Sequence, residues 1–127
     1  MKKALLLFAA LLLAGCGEKA ASDSAIKEAI EEAVDFESLD EPYRNGLRYQ
    51  VNESEPYSGW AKRMYHLSEQ IECLAHFKDG KPDGLWTAWH ENGQKAEEVT
   101  YKDGKELSAK YWNSKGEEVE TYQESRK

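Results

Sequence analysis

The chain has no apolar run long enough to span a bilayer, few prolines, two cysteines, and fewer basic than acidic residues. Each shortage excludes a class of protein. The longest apolar stretch, Ala4 to Ala14, is 11 residues, against the roughly 20 a transmembrane helix needs, so a polytopic membrane protein is excluded. Three prolines and nine glycines in 127 residues are too few for a collagen-like or proline-rich disordered chain. With 17 Lys and Arg against 24 Asp and Glu, a formal charge of -7, there is no surplus of cations to displace the counterions of a polyanion. Nucleic acid is therefore not the expected partner. The length fits one small domain. At 32% charged residues, its core must be thin and spread along the chain.

What is present begins with an address. Lys2 and Lys3 precede the apolar run from Ala4 to Ala14, the charged and apolar regions of a secretory signal. Leu13, Ala14, Gly15 and Cys16 resemble the lipobox of bacterial lipoproteins, in which residues 1–15 are removed and the cysteine carries lipid. Without Lys2 and Lys3 the remaining 112 residues hold 15 basic and 24 acidic side chains, a charge of -9. Acyl chains contribute about 0.8 kcal/mol per buried methylene, so two or three anchor a domain stably to a membrane. The resemblance implies a membrane-anchored, extracytoplasmic protein. In lipoprotein sorting, Asp after the lipidated cysteine favours inner-membrane retention. Gly17 stands there, which implies the periplasmic face of the outer membrane in a host with two membranes.

Lipidation of Cys16 leaves Cys73 without a partner for an internal disulfide. Because Cys73 alternates with Ile71, Ala75 and Phe77, it reads as a buried structural thiol. Residues 16–24 are small and polar, a lipidated flexible tether. Over 25–36, Ile26, Ile30, Ala33 and Val34 recur at i, i+4, i+7 and i+8 behind Ser24. This predicts a short amphipathic helix capped by Ser24, which covers part of the following sheet or docks a partner.

From Tyr43 the period changes. Ile71 to Phe77 alternates strictly, a strand signal. Turn dipeptides recur at Asn45-Gly46, Asp79-Gly80, Asn92-Gly93, Asp103-Gly104 and Lys115-Gly116, and Asn-Gly and Asp-Gly suit the positive φ angles of tight hairpins. The glycines of the last four dipeptides are 13, 11 and 12 residues apart, leaving strands of six to eight residues. Phe77-Lys78-Asp79-Gly80-Lys81 returns 24 residues later as Tyr101-Lys102-Asp103-Gly104-Lys105. That is an internal repeat. Trp112 with Lys115-Gly116 echoes Trp89 with Asn92-Gly93. A weaker earlier copy has Tyr49 and Val51 on its first strand, Gly59, Trp60, Met64 and Tyr65 on its second, and Ser68-Glu69 in place of the Asn-Gly turn.

On these residues the segment 43–122 resembles the MORN-repeat variant family, whose units run glycine, aromatic, aromatic, Asn-Gly turn, polar strand, aromatic, Asp-Gly turn. The resemblance implies tandem β-hairpins; some members of that family are antitoxin-like and many are secreted or lipidated. The residues alone lead to a similar architecture. It is mainly β, an antiparallel meander of hairpin repeats after a signal peptide, a tether and one short helix. Each unit buries its aromatics against its neighbours.

No catalytic constellation stands out. His66, His76 and His90 lack metal-ligand spacing and read as polar strand-end residues. Glu97-Glu98 and Glu117-Glu118 are strand neighbours that point to opposite faces. No phosphate loop or nucleophile elbow is present. The chain is expected not to be an enzyme and to carry no cofactor or metal. Candidate binding residues are Trp60, Trp86, Trp89 and Trp112, since flat rings on an open sheet stack on sugars or anchor proteins; the competing reading places them in the core. The expected function is a lipid-anchored extracytoplasmic interaction module, held to the membrane by its N-terminal lipid, with an envelope protein as partner. The alternatives are an antitoxin or immunity protein neutralising a basic toxin, and a glycan-binding envelope lipoprotein.

Overall fold

The computed structural model describes residues 23–40 and 46–127. The expected signal peptide, the lipidation site Cys16, the tether through residue 22 and Asn45 of the first turn dipeptide lie outside the described residues. The chain divides into two units, Met1–Ala33 and Val34–Lys127. The described part of the first is helix α1 (Asp23–Glu32), with Asp23 in its first turn, where a negative charge suits the helix dipole. The helix is shifted from the expected 25–36. Ser24 lies inside the first turn rather than before it, so the last two tether residues are helical, and Val34 and Phe36 are not.

Those two residues open the second unit. Val34 pairs with Ala61 in the sheet, and Phe36 is buried among the rings of Phe77 and Trp86, at 5.9 Å and 5.7 Å. A β-branched residue and a large aromatic gain more from this packing than from another helical turn. The sheet unit thus starts at Val34, ahead of the expected Tyr43. It runs β1 (Val34–Asp35), a 3₁₀ turn (Phe36–Ser38), β2 (Gly59–Met64), β3 (Ile71–Lys78), β4 (Lys81–Trp89), β5 (Lys95–Lys102), β6 (Lys105–Trp112), β7 (Glu118–Val119) and α2 (Tyr122–Ser125). The seven strands form one sheet in sequence order. The fold is the expected mainly-β meander, antiparallel throughout except that β1 lies parallel to β2.

The turn chemistry works as the dipeptides predict at one end of the sheet. Asp79 and Gly80, with φ of 51° and 83°, and Asp103 and Gly104, at 50° and 84°, form two-residue loops with positive φ at both central positions. The opposite end carries longer loops. His90 N donates to Gln94 O (2.8 Å) and Asn113 N to Glu117 O (2.9 Å), with Gly93 and Gly116 at positive φ. In the corresponding loop of the first unit, Tyr65 N donates to Gln70 O (2.9 Å). There the left-handed residue is Leu67, at φ 67° and 93% exposed, rather than Ser68 or Glu69.

The expected first strand of the weak early copy does not form. Tyr49 and Gln50 make only isolated bridges, to Pro56 and Leu39, and Val51 is exposed. No Asp-Gly turn joins this segment to β2. Instead Asn52 takes φ 71° and Pro56 lacks the N–H a ladder would use, so the segment is irregular and meets the core through the bridge from Gln50 to the buried Leu39.

Candidate binding faces of the sheet

Residues directly opposite in neighbouring strands share a face, so the register sorts every side chain. Ala61, Cys73, Ala75, Phe77, Trp86 and Ala88 share one face, where Phe36 and Leu39 cover them and Tyr57 and Val34 pack against the cluster. This is the core. Small residues on the strands leave room for the rings above: Tyr57 meets Phe77 at 6.4 Å, Phe77 meets Trp86 at 6.2 Å, and Trp86 meets Tyr101 at 5.9 Å. Arg48 and Arg63 place guanidinium carbons 5.8 Å and 5.5 Å from the Phe36 ring centroid, a favourable use of the ring's negative face.

The four tryptophans do not share a face. Trp86 lies opposite Ala75 and Val99 and belongs to the core. Trp60 lies opposite His76 and touches its ring edge-on at 4.9 Å, on the other face. Trp89 joins Thr87 on that face, and Trp112 alternates away from Tyr111, which sits opposite Glu97. The sequence left two readings for the tryptophans, an exposed binding face or the core, and the structure divides them between the two faces. The sequence could not show that positions 86 and 89, three apart on β4, point to opposite faces across the sheet. All four are half-buried. Lys95 links two units on the outer face: its Nζ is 2.8 Å from Glu98 Oε2 and 5.5 Å from the Trp112 ring centroid.

Strand β3 is buried on both faces, since Cys73, Leu74, Ala75, His76 and Phe77 are all buried. Cys73 is the structural thiol its alternation predicts. Burial pushes its pKa up to about 11, against the lowering pull of Arg63, so it stays a thiol at neutral pH and is a poor nucleophile. His76 is not a strand-end residue. It sits mid-strand, and because a carbonyl only accepts, its Nδ1 donates to Asp83 O at 2.9 Å. Desolvation holds its pKa below the usual histidine value, against the raising influence of Asp83. His66 lies in the exposed 65–70 loop. His90 opens the corresponding loop one unit later and donates from Nε2 to Trp112 O (2.9 Å), as the Tyr65 hydroxyl does to Trp89 O (2.6 Å). Among the described residues, no group of three or more His, Cys, Asp or Glu is placed to hold a metal ion, and no helix is long and apolar enough to cross a membrane.

The distal half of the core face, on β5 and β6, carries polar groups that sequence reasoning read only as a solvated charged surface. Glu97 faces Tyr111, Val99 faces Ala109, and Tyr101 faces Glu106. Glu97 is half-buried and its pKa is raised, first by burial and then by the charge of Glu106. The signal available in the sequence was the alternation of Glu97, Val99 and Tyr101, three unlike residues on what had to be one face.

No family model, no curated protein and no solved structure matches the chain.

Proposed function

We propose that the chain is a lipid-anchored, extracytoplasmic interaction module, its hairpin repeats of the MORN type serving as a rigid display surface. The reading rests on one observation: two lysines, an apolar run of signal-peptide length and Leu13-Ala14-Gly15-Cys16 directly precede the segment that leads into an acidic domain. A sheet whose second face carries half-buried tryptophans, and whose core face is only partly roofed, suits recognition by surface complementarity. In a host with two membranes the place is the periplasmic side of the outer membrane, and the partner is an envelope protein.

The test is expression of the full chain and its Cys16→Ser variant in cells fed labelled palmitate, followed by fractionation and in-cell crosslinking. The native chain should take up label, fractionate with envelopes and bring down a defined protein. A Cys16→Ser chain that stays with envelopes after detergent-free washing would sink the anchor. Binding to purified cell-wall glycan, with no protein recovered, would sink the protein-partner reading.

A further inference from the structure

The loop between β2 and β3 carries the most exposed large apolar side chain among the described residues, Leu67, at 93%. It holds the third position of a four-residue turn, Tyr65 to Ser68, in which Ser68 N donates to Tyr65 O (3.3 Å), and its φ is 67°. That position favours glycine or asparagine, because a Cβ in the left-handed region crowds the following carbonyl oxygen. The other non-glycine residues at positive φ among the described residues are Asn52, Asp79 and Asp103. Short polar side chains of that kind tolerate the conformation; a leucine does not.

Two sister loops show what the fold asks of this one. They close in the same way, His90 N on Gln94 O and Asn113 N on Glu117 O, and both place left-handed backbone on a glycine, Gly93 and Gly116. A loop of this class needs a residue that accepts positive φ. It has no need of an apolar side chain. Leu67 does not pack either, since nearly all of it lies in water, away from the cluster around Phe77. Backbone strain and the hydration of apolar surface thus oppose leucine here, each independently of the other. A residue that the fold disfavours on two counts is explained by a contact outside the fold.

The surroundings narrow that contact. His66, Ser68 and Glu69 are exposed and polar, and the chain is acidic, with a formal charge of -7. Anionic headgroups repel such a domain, and one leucine offers a bilayer little apolar surface. A preformed apolar pocket in a protein can enclose the same side chain completely.

We propose that Leu67 is a docking anchor, its side chain entering an apolar pocket of a partner protein whose basic rim meets Glu69. The inference rests on the interaction-module reading and deepens it by naming the contact.

Stability and binding should move in opposite directions. Leu67→Asn relieves the backbone and should raise the Tm of the full chain in detergent micelles by about 4 °C or more; Leu67→Met keeps the strain and the apolar tip and should leave Tm unchanged. For the contact, the probe is p-benzoylphenylalanine in place of His66, irradiated in intact cells. A discrete protein adduct should form, persist in Leu67→Met and fall about tenfold or more in Leu67→Asn, the loss expected for a leucine fully withdrawn from water. A Tm that Leu67→Asn leaves unchanged or lowers would overturn the strain on which the inference stands. An adduct that Leu67→Asn does not reduce, or Leu67-dependent transfer of the probe to vesicles of phosphatidylethanolamine and phosphatidylglycerol, would overturn the pocket. The module reading fails separately. A partner recovered by general in-cell crosslinking but not through the loop probe removes this site and leaves the module standing, whereas recovery of no partner by either route removes both.

Discussion

Phe77 and Tyr101 begin the two copies of the same five-residue motif, and the structure gives them different work. Phe77 is 1% exposed and sits among the rings of Phe36, Tyr57 and Trp86, with Ala61 and Ala75 on the strands beside it. Alanines cannot move in to fill a vacated ring, so Phe77→Ala leaves most of its cavity open and should cost about 3–5 kcal/mol. Small domains are stable by only about 5–15 kcal/mol in total. For a unit of this size, each kcal/mol lowers Tm by about 4–8 °C, a fall of roughly 12–40 °C. Tyr101 is half-buried, with Trp86 at 5.9 Å on one side and Glu106 opposite. Tyr101→Ala should therefore cost only about 1–2 kcal/mol. Urea unfolding followed by tryptophan fluorescence measures both, and a midpoint that falls without a change of slope reports stability alone. Losses equal within about 0.5 kcal/mol would refute the placement of the core over the first units of the sheet.

The tight turns should separate in the same way. A Cβ on Gly80 would lie 2.9 Å from Leu47 Cβ and 3.0 Å from the Arg48 carbonyl, whereas one on Gly104 would meet only the flexible Lys81 side chain at 3.7 Å. Both glycines hold positive φ, so Gly104→Ala should cost about 1–2 kcal/mol and Gly80→Ala distinctly more, read as melting temperatures. Burial depresses the folded-state pKa of His76. The unfolded chain then binds the extra proton, and His76 contributes stability present above its unfolded value of about 6.5 and lost as pH falls through the lower folded value. Glu97 has the opposite sign: its raised pKa favours the fold below the ordinary carboxylate value and loses that contribution as pH rises through the folded pKa. Accordingly His76→Gln should flatten the fall in Tm between pH 7 and 5, and Glu97→Gln should raise Tm at pH 7; changes of the reverse sign would refute these assignments. Cys73, held as a thiol by burial, should resist a disulfide reagent in the native chain and react on unfolding. Rapid native labelling would contradict its burial.

Local signals made the strands legible. The alternation of Ile71 to Phe77, the two Asp-Gly turns and the 24-residue echo placed β3 to β6 and their order, because a two-residue turn with positive φ leaves an antiparallel neighbour as the only outcome. Contacts distant in sequence stayed hidden. Phe36 and Leu39 reach the core across the long loop before β2, and nothing local to Phe36 separates a last helical turn from a ring inserted over Phe77 and Trp86. The faces of the tryptophans depend on bulges, such as the one between Ala88 and Trp89 against β5, and a one-residue shift exchanges inside for outside. His76 was misjudged for a related reason: its alternation with Leu74 marks the second face of β3, and only the pairing with Trp60 and Thr87 neighbours shows that this face is buried too.

The repeats are stitched in one direction, and this explains why the last unit differs from the others. Each tight turn is held by the unit before it. Gly80 N donates to Tyr57 O and Asp79 N to Ser58 Oγ; one unit later Gly104 N donates to Pro82 O and Asp103 N to the buried Asp83 carboxylate. The position after Ser58 and Asp83 in this series is Leu107, which has no acceptor side chain and is 65% exposed. The stitching stops there. In place of another hairpin the chain turns into α2, capped by Thr121 and seated by the buried Ser125, and lays Tyr122 against Tyr111. The first units thus have Phe36 and Leu39 over their aromatic face, while the last has only a single helical turn near its edge. A repeat array that ends this way keeps its packed core over the early units and leaves the half-buried Glu97 and the exposed Glu106 outside it.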